Sequence, residues 1–290
     1  MSQIKKQTIG HITIYAINDF SESQELFGEN GFFSNVPKHY IDQLNYDCPD
    51  YLNGNCINEW TYYCYLIEDE GRYILIDTGV GNAHVTNVPT PNNWHGTLLH
   101  CLKTLGVSPD QIDTVFMTHI HADHIGWNVI NRQGTIQKTF PNAQYICPKA
   151  DYYAYHDGIT AAAIPQECFD LCIESLVRQG CLQLIDAVPF SLTSHITAYP
   201  APGHTPGTMV VNIVDGDKCC ILTGDAFVSP LQILTPECVF IYDIDPVMST
   251  RQKRSLLSLN SKHIPFLLGG CHFGLGYVEQ QSDTVVWHAI

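Results

Sequence analysis

The sequence predicts one domain that mixes helices and strands, of the α/β or α+β class. Strand-like runs alternate with helix-like runs, and strands with interleaved helices occur twice along the chain. No Gly- or Ser-rich linker separates the two halves. The chain has 290 residues, enough to bury a substantial core in a single domain covering 1-290.

The N-terminal part is predicted to start with a strand and then to lose regular structure. Apolar residues alternate with others over 8–17, which predicts a strand. Residues 18–60 are rich in Asn, Gly, Asp and aromatics, and predict a long irregular segment that either packs on the surface or covers a substrate site. Strands at 62–68 and 72–77 follow, joined by a turn signal at 69–71.

Helical spacing of apolar residues predicts three longer helices, at 97–105, 166–179 and 249–262. Gly106 and Gly180 follow the first two as helix stops. Short apolar runs between turn signals predict further strands. These runs cover 144–147, 181–185, 195–199, 209–214, 218–222 and 264–268.

Composition excludes some classes of partner. The formal charge is −15 and the basic residues are scattered, so nucleic acid is not an expected partner. The densest basic run, 251–254, is expected to be the solvated start of a helix. No stretch has the length of a membrane span, and no export signal is visible near the N-terminus. We therefore expect a cytoplasmic protein with no membrane partner.

The twelve cysteines lie mostly inside apolar runs. This placement predicts buried free thiols in a reducing compartment, where Cys behaves as a small hydrophobic residue. No pair has CxxC spacing, so a thiolate zinc site is not expected. Cys48 and Cys56 flank a loop and would pair only in an exported protein.

A short stretch after the apolar run 114–117 holds the densest group of metal-binding residue types. It contains His119, His121, Asp123 and His124 within six residues. Extended backbone places His119 and His121 on one side of the chain, whereas Asp123 and His124 can point toward a second metal position a few ångströms away. Four ligands are too many for one ion that keeps a position open for water. The pattern therefore favours two metals that share a nucleophilic water, over a set of polar residues at a strand end.

Other candidate residues follow apolar strands elsewhere in the chain. His204 lies in a turn bounded by Gly and Pro, Asp225 follows the strand that ends at Leu222, and His272 follows the last apolar strand. Asp77 ends an earlier strand in the same way. Each of these alone is more often a turn residue than a ligand.

The spacing His-x-His-x-Asp-His, followed by these later residues in order, resembles the metallo-β-lactamase superfamily of hydrolases. The resemblance implies an α+β fold, a four-layered αββα sandwich, and two divalent metal ions. Zinc is the expected ion, with manganese, cobalt or iron as alternatives. The implied ligands are His119, His121 and His204 for the first metal, Asp123, His124 and His272 for the second, and Asp225 between them. Asp77 is implied to support the ligands from behind.

The same resemblance implies a metal-dependent hydrolase that uses a metal-bridging hydroxide. Asp123 and Asp225 are the implied catalytic carboxylates. The sequence contains no G-x-S-x-G motif that would favour a serine nucleophile. Hydrolysis of a phosphotriester or β-lactam at the same site stays open, and so does a non-hydrolytic iron-binding redox protein or oxygenase.

Segments 32–38, 121–128 and 229–232 resemble the branch that contains N-acyl-homoserine lactonases and methyl parathion hydrolase. This implies a small-molecule substrate, a small neutral and hydrophobic ester or lactone, and leaves a homodimer open. Several lactonases have a Tyr three residues after the bridging Asp, where this chain has Val228. The residues expected to line the substrate pocket are Phe32, Phe33, Phe227 and Val228.

Overall fold

The computed structural model describes most of the chain. The described residues are 3–27, 31–34, 36–49, 51–54, 56–160, 164–259, 266–281 and 284–290. The strands are β1 (Ile4–Ile9), β2 (Ile12–Glu25), β3 (Phe33–Ser34), β4 (Leu52–Asn53), β5 (Cys56–Asp69), β6 (Arg72–Ile76), β7 (Ile112–Phe116), β8 (Val129–Arg132), β9 (Thr135–Lys138), β10 (Gln144–Pro148), β11 (Leu182–Ile185), β12 (Phe190–Ser191), β13 (Ile196–Pro200), β14 (Met209–Asp215), β15 (Lys218–Leu222), β16 (Val239–Phe240), β17 (Phe266–Gly270), β18 (Gly274–Gln281) and β19 (Thr284–Ala289).

The helices are shorter and lie between these strands. They are α1 (Lys38–Asp47), α2 (Ala83–Thr86), α3 (Leu98–Thr104), α4 (Ala122–Ile125), α5 (Lys149–His156), α6 (Gln166–Phe169), α7 (Ser175–Arg178), α8 (Leu231–Leu234) and α9 (Pro246–Ser258). A π-helical turn, Asp170–Glu174, joins α6 to α7. In the described part of the chain, no helix is both long and apolar enough to span a membrane.

Two large sheets contain most of the strands. The first sheet has the order β1-β2-β5-β6-β7-β10-β11, with β4 paired to β5, and the second has the order β12-β13-β14-β15-β17-β18-β19. In the first sheet β6, β7, β10 and β11 run parallel, and in the second β15 and β17 run parallel. The carboxyl ends of parallel neighbours lie at the same edge of a sheet, which determines where the candidate residues meet.

The two sheets pack face to face, and helices cover their outer faces. One buried cluster combines side chains of both sheets, including Ile14, Ile67 and Ile76 of the first and Val211, Ile213 and Leu222 of the second. A second cluster joins the first sheet to α3 and to the α6–α7 helix, and a third joins the second sheet to α8 and α9. The layers are therefore helix, sheet, sheet and helix, which confirms the predicted α+β sandwich.

The strand predicted at 8–17 is wrong, because these residues cross a turn. β1 and β2 form an antiparallel hairpin, with Ile9 paired to Ile12. Gly10 sits at the turn with φ of 60°, a left-handed conformation that glycine adopts without steric cost. The apolar alternation continues on both sides of the turn, so periodicity alone does not reveal it.

The expectation of an irregular segment at 18–60 is also corrected. β2 continues to Glu25, α1 covers Lys38–Asp47, and β5 begins at Cys56. β2 and β5 pair along most of their length, with register shifts after Asn18 and Glu22. Pairing with a partner distant in sequence stabilises strands whose own composition favours loops. Residues 28–30, 35, 50 and 55 of this segment lie outside the described residues.

The later elements agree with the prediction more closely. The strands predicted between 144 and 222 are confirmed to within one residue at each end, and α3 and the α6–α7 helix occupy the predicted places. The last helix begins at Pro246 rather than at 249. The last predicted strand is observed from Phe266, and residues 260–265 lie outside the described residues.

All twelve cysteines are free thiols, and most are buried. Cys48 and Cys56 are among the free ones. The expectation of unpaired thiols inside apolar runs is confirmed.

Candidate metal centre

Parallel strand pairs of the two sheets bring the candidate residues to one edge of the sandwich. Asp77 follows β6 and the His119–His124 stretch follows β7, and these two strands are parallel neighbours. Asp225 follows β15 and His272 follows β17, which are parallel neighbours in the second sheet. The centre therefore lies where the carboxyl ends of four strands meet.

Two groups of metal-binding side chains form at this edge and share one carboxylate. The first cluster is His119, His121, His204 and Asp225, and the second cluster is Asp123, His124, His272 and Asp225. Within each cluster the ligand-type atoms lie within 4.8 Å of one another. The seven side chains implied by the family resemblance therefore meet in space, in the predicted grouping. Their role as metal ligands belongs to the proposal below.

Asp225 lies between imidazoles of both clusters. Its Oδ2 is 3.1 Å from His272 Nε2, 3.4 Å from His204 Nε2 and 3.9 Å from His119 Nε2. Its Oδ1 is 3.5 Å from His124 Nε2. Asp225 is almost fully buried, with 3% of its surface exposed.

Asp123, the second carboxylate of the centre, lies close to both imidazoles of its cluster. Its Oδ2 is 3.5 Å from His124 Nε2 and 3.6 Å from His272 Nε2. Its side chain is 17% exposed, more than that of Asp225. Both carboxylates line the cavity, and Asp123 is the more exposed of the two.

Several buried atoms of this centre have no hydrogen-bond partner. Of ten such side-chain atoms among the described residues, four belong to the candidate ligands: Nε2 of His119, His121 and His124, and Oδ1 of Asp225. A buried polar atom without a partner costs free energy, so native structures seldom leave one unsatisfied. Their concentration at one point fits a site that holds cations. Imidazole and carboxylate are the groups that bind zinc and related divalent ions.

Hydrogen bonds behind the imidazoles orient them toward the centre. His124 Nδ1 is 2.9 Å from Asp77 Oδ2, and His272 Nδ1 is 2.9 Å from the backbone oxygen of Thr61. His204 Nδ1 is 3.2 Å from Asp243 Oδ1. A proton on each Nδ1 leaves Nε2 of the same ring free to bind a metal ion.

Asp77 also connects the end of β6 to the end of β7. Its carboxylate accepts hydrogen bonds from the Thr118 backbone N–H at 2.7 Å and from the Thr118 hydroxyl at 2.8 Å. Asp77 has φ of 58°, in the left-handed region that few residues other than glycine adopt. Backbone strain of this kind is common at functional sites, and here it accompanies a carboxylate aimed at the centre.

Asp243 and Lys253 form a chain of polar contacts behind His204 that no sequence pattern indicated. Lys253 Nζ is 3.1 Å from Asp243 Oδ2, and the Ser249 hydroxyl donates to the same oxygen at 2.8 Å. Lys253 is only 1% exposed and lies inside α9. The expectation that 251–254 is a solvated helix start is therefore wrong for Lys253, because Asp243 provides the buried counter-charge that a local reading cannot supply.

Asp151 is a second buried carboxylate that sequence reasoning missed. It accepts hydrogen bonds from the backbone N–H groups of Ile120 and Gly207 and from the Thr205 hydroxyl. Burial raises its pKa to about 6. By holding Ile120 and Thr205, Asp151 joins the loop that carries His119 and His121 to the loop that carries His204.

Burial and charge act in opposite directions on the imidazoles. Burial lowers the pKa of His119 well below its usual value and that of His121 to about 3, so both rings are neutral at pH 7, as metal binding requires. Burial also lowers the pKa of His124 and His272, but the carboxylates around them outweigh it and raise both. Protons and divalent cations would therefore compete for this part of the centre.

A cavity of about 420 Å³ opens onto the centre. The residues that line it are Glu22, Gln24, Phe32, Trp60, Tyr62, Pro91, Trp94, His121, Ala122, Asp123, Pro165, His204, Asp225, Phe240, Tyr242 and His272. Trp60 stacks on His272 with ring centroids 4.4 Å apart, and Phe32 lies 4.9 Å from Trp60. The wall is therefore mostly aromatic.

The four residues expected to line the pocket are placed differently from one another. Phe32 lies in the cavity wall. Phe33, Phe227 and Val228 are buried in the core and are not lining residues of this cavity, which corrects the expectation for those three. Phe33 begins β3 and packs against Phe240 in the core, whereas Phe32 lies in the bend before this strand and contacts Trp60.

Most of the aromatic wall was not among the residues predicted to line the pocket, because its members come from separate parts of the chain that meet only in the fold. Trp60 and Tyr62 lie two residues apart on β5 and both face the cavity, as alternation requires. Trp94 comes from a 3-10 turn and Phe240 from β16. The Trp60-x-Tyr62 alternation was the one signal available in the sequence.

The family model for the metallo-β-lactamase superfamily matches residues 57–270. This is most of the chain. The protein belongs to the metallo-β-lactamase superfamily. The match contains six of the seven candidate ligands. The seventh, His272, lies two residues beyond its end.

Similar proteins include lactonases and hydrolases of this superfamily. An N-acyl homoserine lactonase of Bacillus thuringiensis is 25% identical over 177 residues, which are 57% of this chain and 63% of the lactonase. A structure of the hydrolase AbOPH matches with a TM-score of 0.80 at 20% identity, over 100% of this chain and 98% of that one. A structure of AidC, a dizinc quorum-quenching lactonase, matches with a TM-score of 0.75 at 23% identity, over 100% and 98%.

These likenesses differ in what they establish. The aligned stretch covers less than two-thirds of the curated relatives, 61% and 63% of their lengths for the first two. The structural likeness covers the whole chain but at an identity that shows only the fold. Family and fold are therefore shown, and the activity is a proposal.

Proposed function

We propose that this protein is a dinuclear metal-dependent hydrolase of a small ester or lactone. The observation that carries the proposal is the pair of clusters that share Asp225, with buried nitrogen and oxygen atoms that lack partners. A single ion cannot use seven ligand residues, whereas two ions use them with one shared carboxylate.

The proposed ligands follow from the two clusters. His119, His121 and His204 would hold one ion, Asp123, His124 and His272 the other, and Asp225 both. Zinc is the expected ion, and the dizinc lactonase AidC with the same fold supports this choice. Manganese, cobalt and iron bind the same donor types and are alternatives that metal analysis separates.

The chemistry needs an activated water, a proton acceptor and a stabilised oxyanion. Two divalent ions, when bound, lower the pKa of water into the neutral range and supply positive charge near the attacked carbonyl. Asp123 would orient that water and carry a proton to the leaving group, because it lines the cavity and is more exposed than Asp225. Asp77, Asp243 and the Thr61 carbonyl keep the imidazoles aligned.

The aromatic wall supports a substrate with an apolar body. Trp60, Tyr62, Phe240 and Phe32 remove water from the cavity and provide flat surfaces for a ligand. We also propose that the segment 26–60 sets specificity, since it contributes Phe32 and Trp60 to the wall. A small-molecule partner fits a cavity of about 420 Å³.

The lactonase assignment is supported by relatives, while one local feature differs. Val228, at the position of the lactonase Tyr, is fully buried. Two other tyrosines line this cavity, Tyr62 and Tyr242, and the Tyr62 hydroxyl donates to Glu22. A substrate carbonyl would therefore be oriented by other groups than in those lactonases, and esters belong in the same test as lactones.

A single domain over 1–290, a cytoplasmic location and a homodimer stay predictions. The free thiols support a reducing compartment. Size-exclusion chromatography with light scattering would measure the subunit number directly.

Metal reconstitution combined with a substrate panel tests the proposal. Apoprotein prepared with a chelator is loaded with zinc, manganese, cobalt or iron, and each form is assayed on acyl-homoserine lactones, aryl esters, phosphotriesters and β-lactams. We expect about two ions per chain and turnover of esters or lactones that disappears in the apoprotein. Redox activity of an iron form without any hydrolysis would reject the proposal.

A further inference from the structure

A carboxylate that the metal clusters do not use lies in the wall of the active-site cavity. Glu22 lines this cavity together with Asp123 and Asp225, but it belongs to neither cluster. Residues on β2 alternate here, so that Glu22 and Gln24 line the cavity while Ser23 and Glu25 are exposed. Glu22 is paired with Trp60 across β2 and β5, which places it beside the aromatic wall.

Tyr62 holds this carboxylate in place. The Tyr62 hydroxyl donates to Glu22 Oε1 at 2.6 Å, a short distance typical of a bond to a charged acceptor. The second oxygen of Glu22 is not used by this bond. The carboxylate is therefore oriented and still able to accept from a ligand.

No basic side chain neutralises Glu22 within the described part of the chain. The described lining of the cavity contains no Lys or Arg, and none of the described Lys and Arg residues forms an ion pair with Glu22. Lys253, the buried basic residue behind His204, is already paired with Asp243. The negative charge of Glu22 thus remains available to a cation that enters the cavity.

The rings around Glu22 are suited to the same kind of ligand. Tyr62 lies 5.4 Å from Trp94 between ring centroids, and Trp60 and Phe32 continue the wall. Aromatic faces attract an ammonium group, most strongly when a carboxylate lies nearby and water is largely excluded. An anionic substrate would meet repulsion at this position.

We propose that Glu22 is a specificity determinant that selects substrates carrying an ammonium group on the part of the molecule away from the hydrolysed bond. The inference rests on the proposed hydrolase function and narrows its substrate class. It departs from the sequence-based expectation of a wholly neutral substrate, because that expectation did not include Glu22 in the pocket.

Kinetics with a matched pair of esters test the inference. The pair is 4-nitrophenyl 4-(trimethylammonio)butanoate and 4-nitrophenyl 5,5-dimethylhexanoate, which differ in charge but hardly in shape. For the metal-replete wild type, we expect kcat/KM to favour the cationic ester by about tenfold, mainly through KM. Glu22→Gln keeps an acceptor for Tyr62 but removes the charge, and should bring the ratio close to one.

Glu25→Gln is the matched control, because Glu25 lies on the same strand but is exposed and outside the cavity lining. This variant should retain the wild-type ratio. A wild type that favours the neutral ester, or a ratio that Glu22→Gln leaves unchanged, overturns the inference. Equal loss of the ratio in both variants overturns it as well, since a general field effect would then explain it.

A binding measurement separates this inference from the proposed function. Calorimetry compares choline with its uncharged isostere 3,3-dimethylbutan-1-ol on metal-replete protein. We expect choline to bind about tenfold more tightly, and Glu22→Gln to remove that difference. If no ester is hydrolysed but this pattern holds, the hydrolase proposal fails and the cation site stands. If the two alcohols bind equally, the cation site fails whatever the kinetics show.

Discussion

Two clusters of histidine and aspartate lie near opposite ends of β5, and only one of them has the properties of a metal centre. The metal centre adjoins Trp60, whereas the other cluster contains Asp69, nine residues further along this strand and about 30 Å away at the usual rise. We call this second group, His11, His195, Asp69 and Asp215, the clasp cluster. Its members come from the turns at which both sheets end, so it joins the first sheet to the second.

Distances alone do not distinguish the two clusters. Ligand-type atoms of His11, His195 and Asp215 lie within 4.8 Å of one another, as do those of the metal centre. In the clasp cluster, however, the imidazole nitrogens face carboxylate oxygens. His11 Nδ1 is 2.7 Å from Asp215 and its Nε2 is 3.2 Å from Asp69, while His195 Nδ1 is also 3.2 Å from Asp69.

Burial separates the clusters further. The side chain of His11 is 48% exposed, whereas that of His119 is fully buried. Protons satisfy the clasp cluster through short hydrogen bonds, whereas Nε2 of His119, His121 and His124 in the metal centre forms no hydrogen bond. Buried ligand atoms without a hydrogen-bond partner therefore indicate where a metal belongs. The proximity of histidine and aspartate alone does not.

The largest expected difference comes from the same substitution in each cluster. Asp225→Asn should lower kcat by about a thousandfold or more and reduce bound metal, because the shared carboxylate is lost from the centre. Asp215→Asn should leave kcat and metal content unchanged. Steady-state kinetics and elemental analysis of both variants check this, and near wild-type turnover by Asp225→Asn would contradict the two-metal proposal.

Chelation should reveal the same contrast in stability. Removing metal is expected to lower Tm by roughly 5 °C or more, because ions bound by loops of both sheets stabilise the folded state, and this stabilisation grows with the logarithm of their affinity. His195→Asn should show the same Tm loss on chelation as the wild type, since the clasp cluster holds no ion. Differential scanning fluorimetry with and without chelator measures both. A third bound ion that His195→Asn removes would place metal in the clasp cluster after all.

Substituting a carboxylate that contacts imidazoles should affect metal affinity at the metal centre but not at the clasp cluster. Asp77→Asn is expected to weaken metal affinity or kcat/KM by about 10- to 100-fold, because an amide no longer fixes the tautomer of His124. Asp69→Asn removes the negative charge that two imidazoles face but should affect only stability. Competition with a colorimetric zinc chelator measures the affinity of each variant, and equal weakening in both would show that the effect is general.

The smallest effect is expected from the pH dependence of the clasp cluster. Hydrogen bonding to Asp215 is the main cause that raises the pKa of His11 above 6.5, and Asp69 adds to it. A raised folded-state pKa means that this stabilisation is fully present below about pH 6.5 and is lost as the pH rises through the higher value. His11→Gln should therefore narrow its stability gap to the wild type between pH 6 and 8.5. Urea unfolding across this range measures it, and a constant gap would exclude a charged His11.

The sequence by itself determined the features that depend only on residues close together in the chain. The His-x-His-x-Asp-His spacing and the helix stop at Gly106 are local, and α3 ends just before Gly106, as predicted. The later strands were predictable because buried apolar runs between turn residues have few alternatives. His204, Asp225 and His272 required the family resemblance, since each alone reads as an ordinary turn residue.

Only the tertiary structure decided which distant residues meet. Nothing near Lys253 in sequence indicates that Asp243 neutralises it, and nothing near Glu22 indicates that Tyr62 orients it in the cavity. The segment 18–60 appeared irregular although it contains most of β2, which pairs with β5 through a shifted register. The stabilisation from this pairing depends on a distant strand, so no local sequence pattern reveals it. Local patterns record propensity, whereas the free energy of a buried charge or a paired strand depends on a partner supplied by the fold.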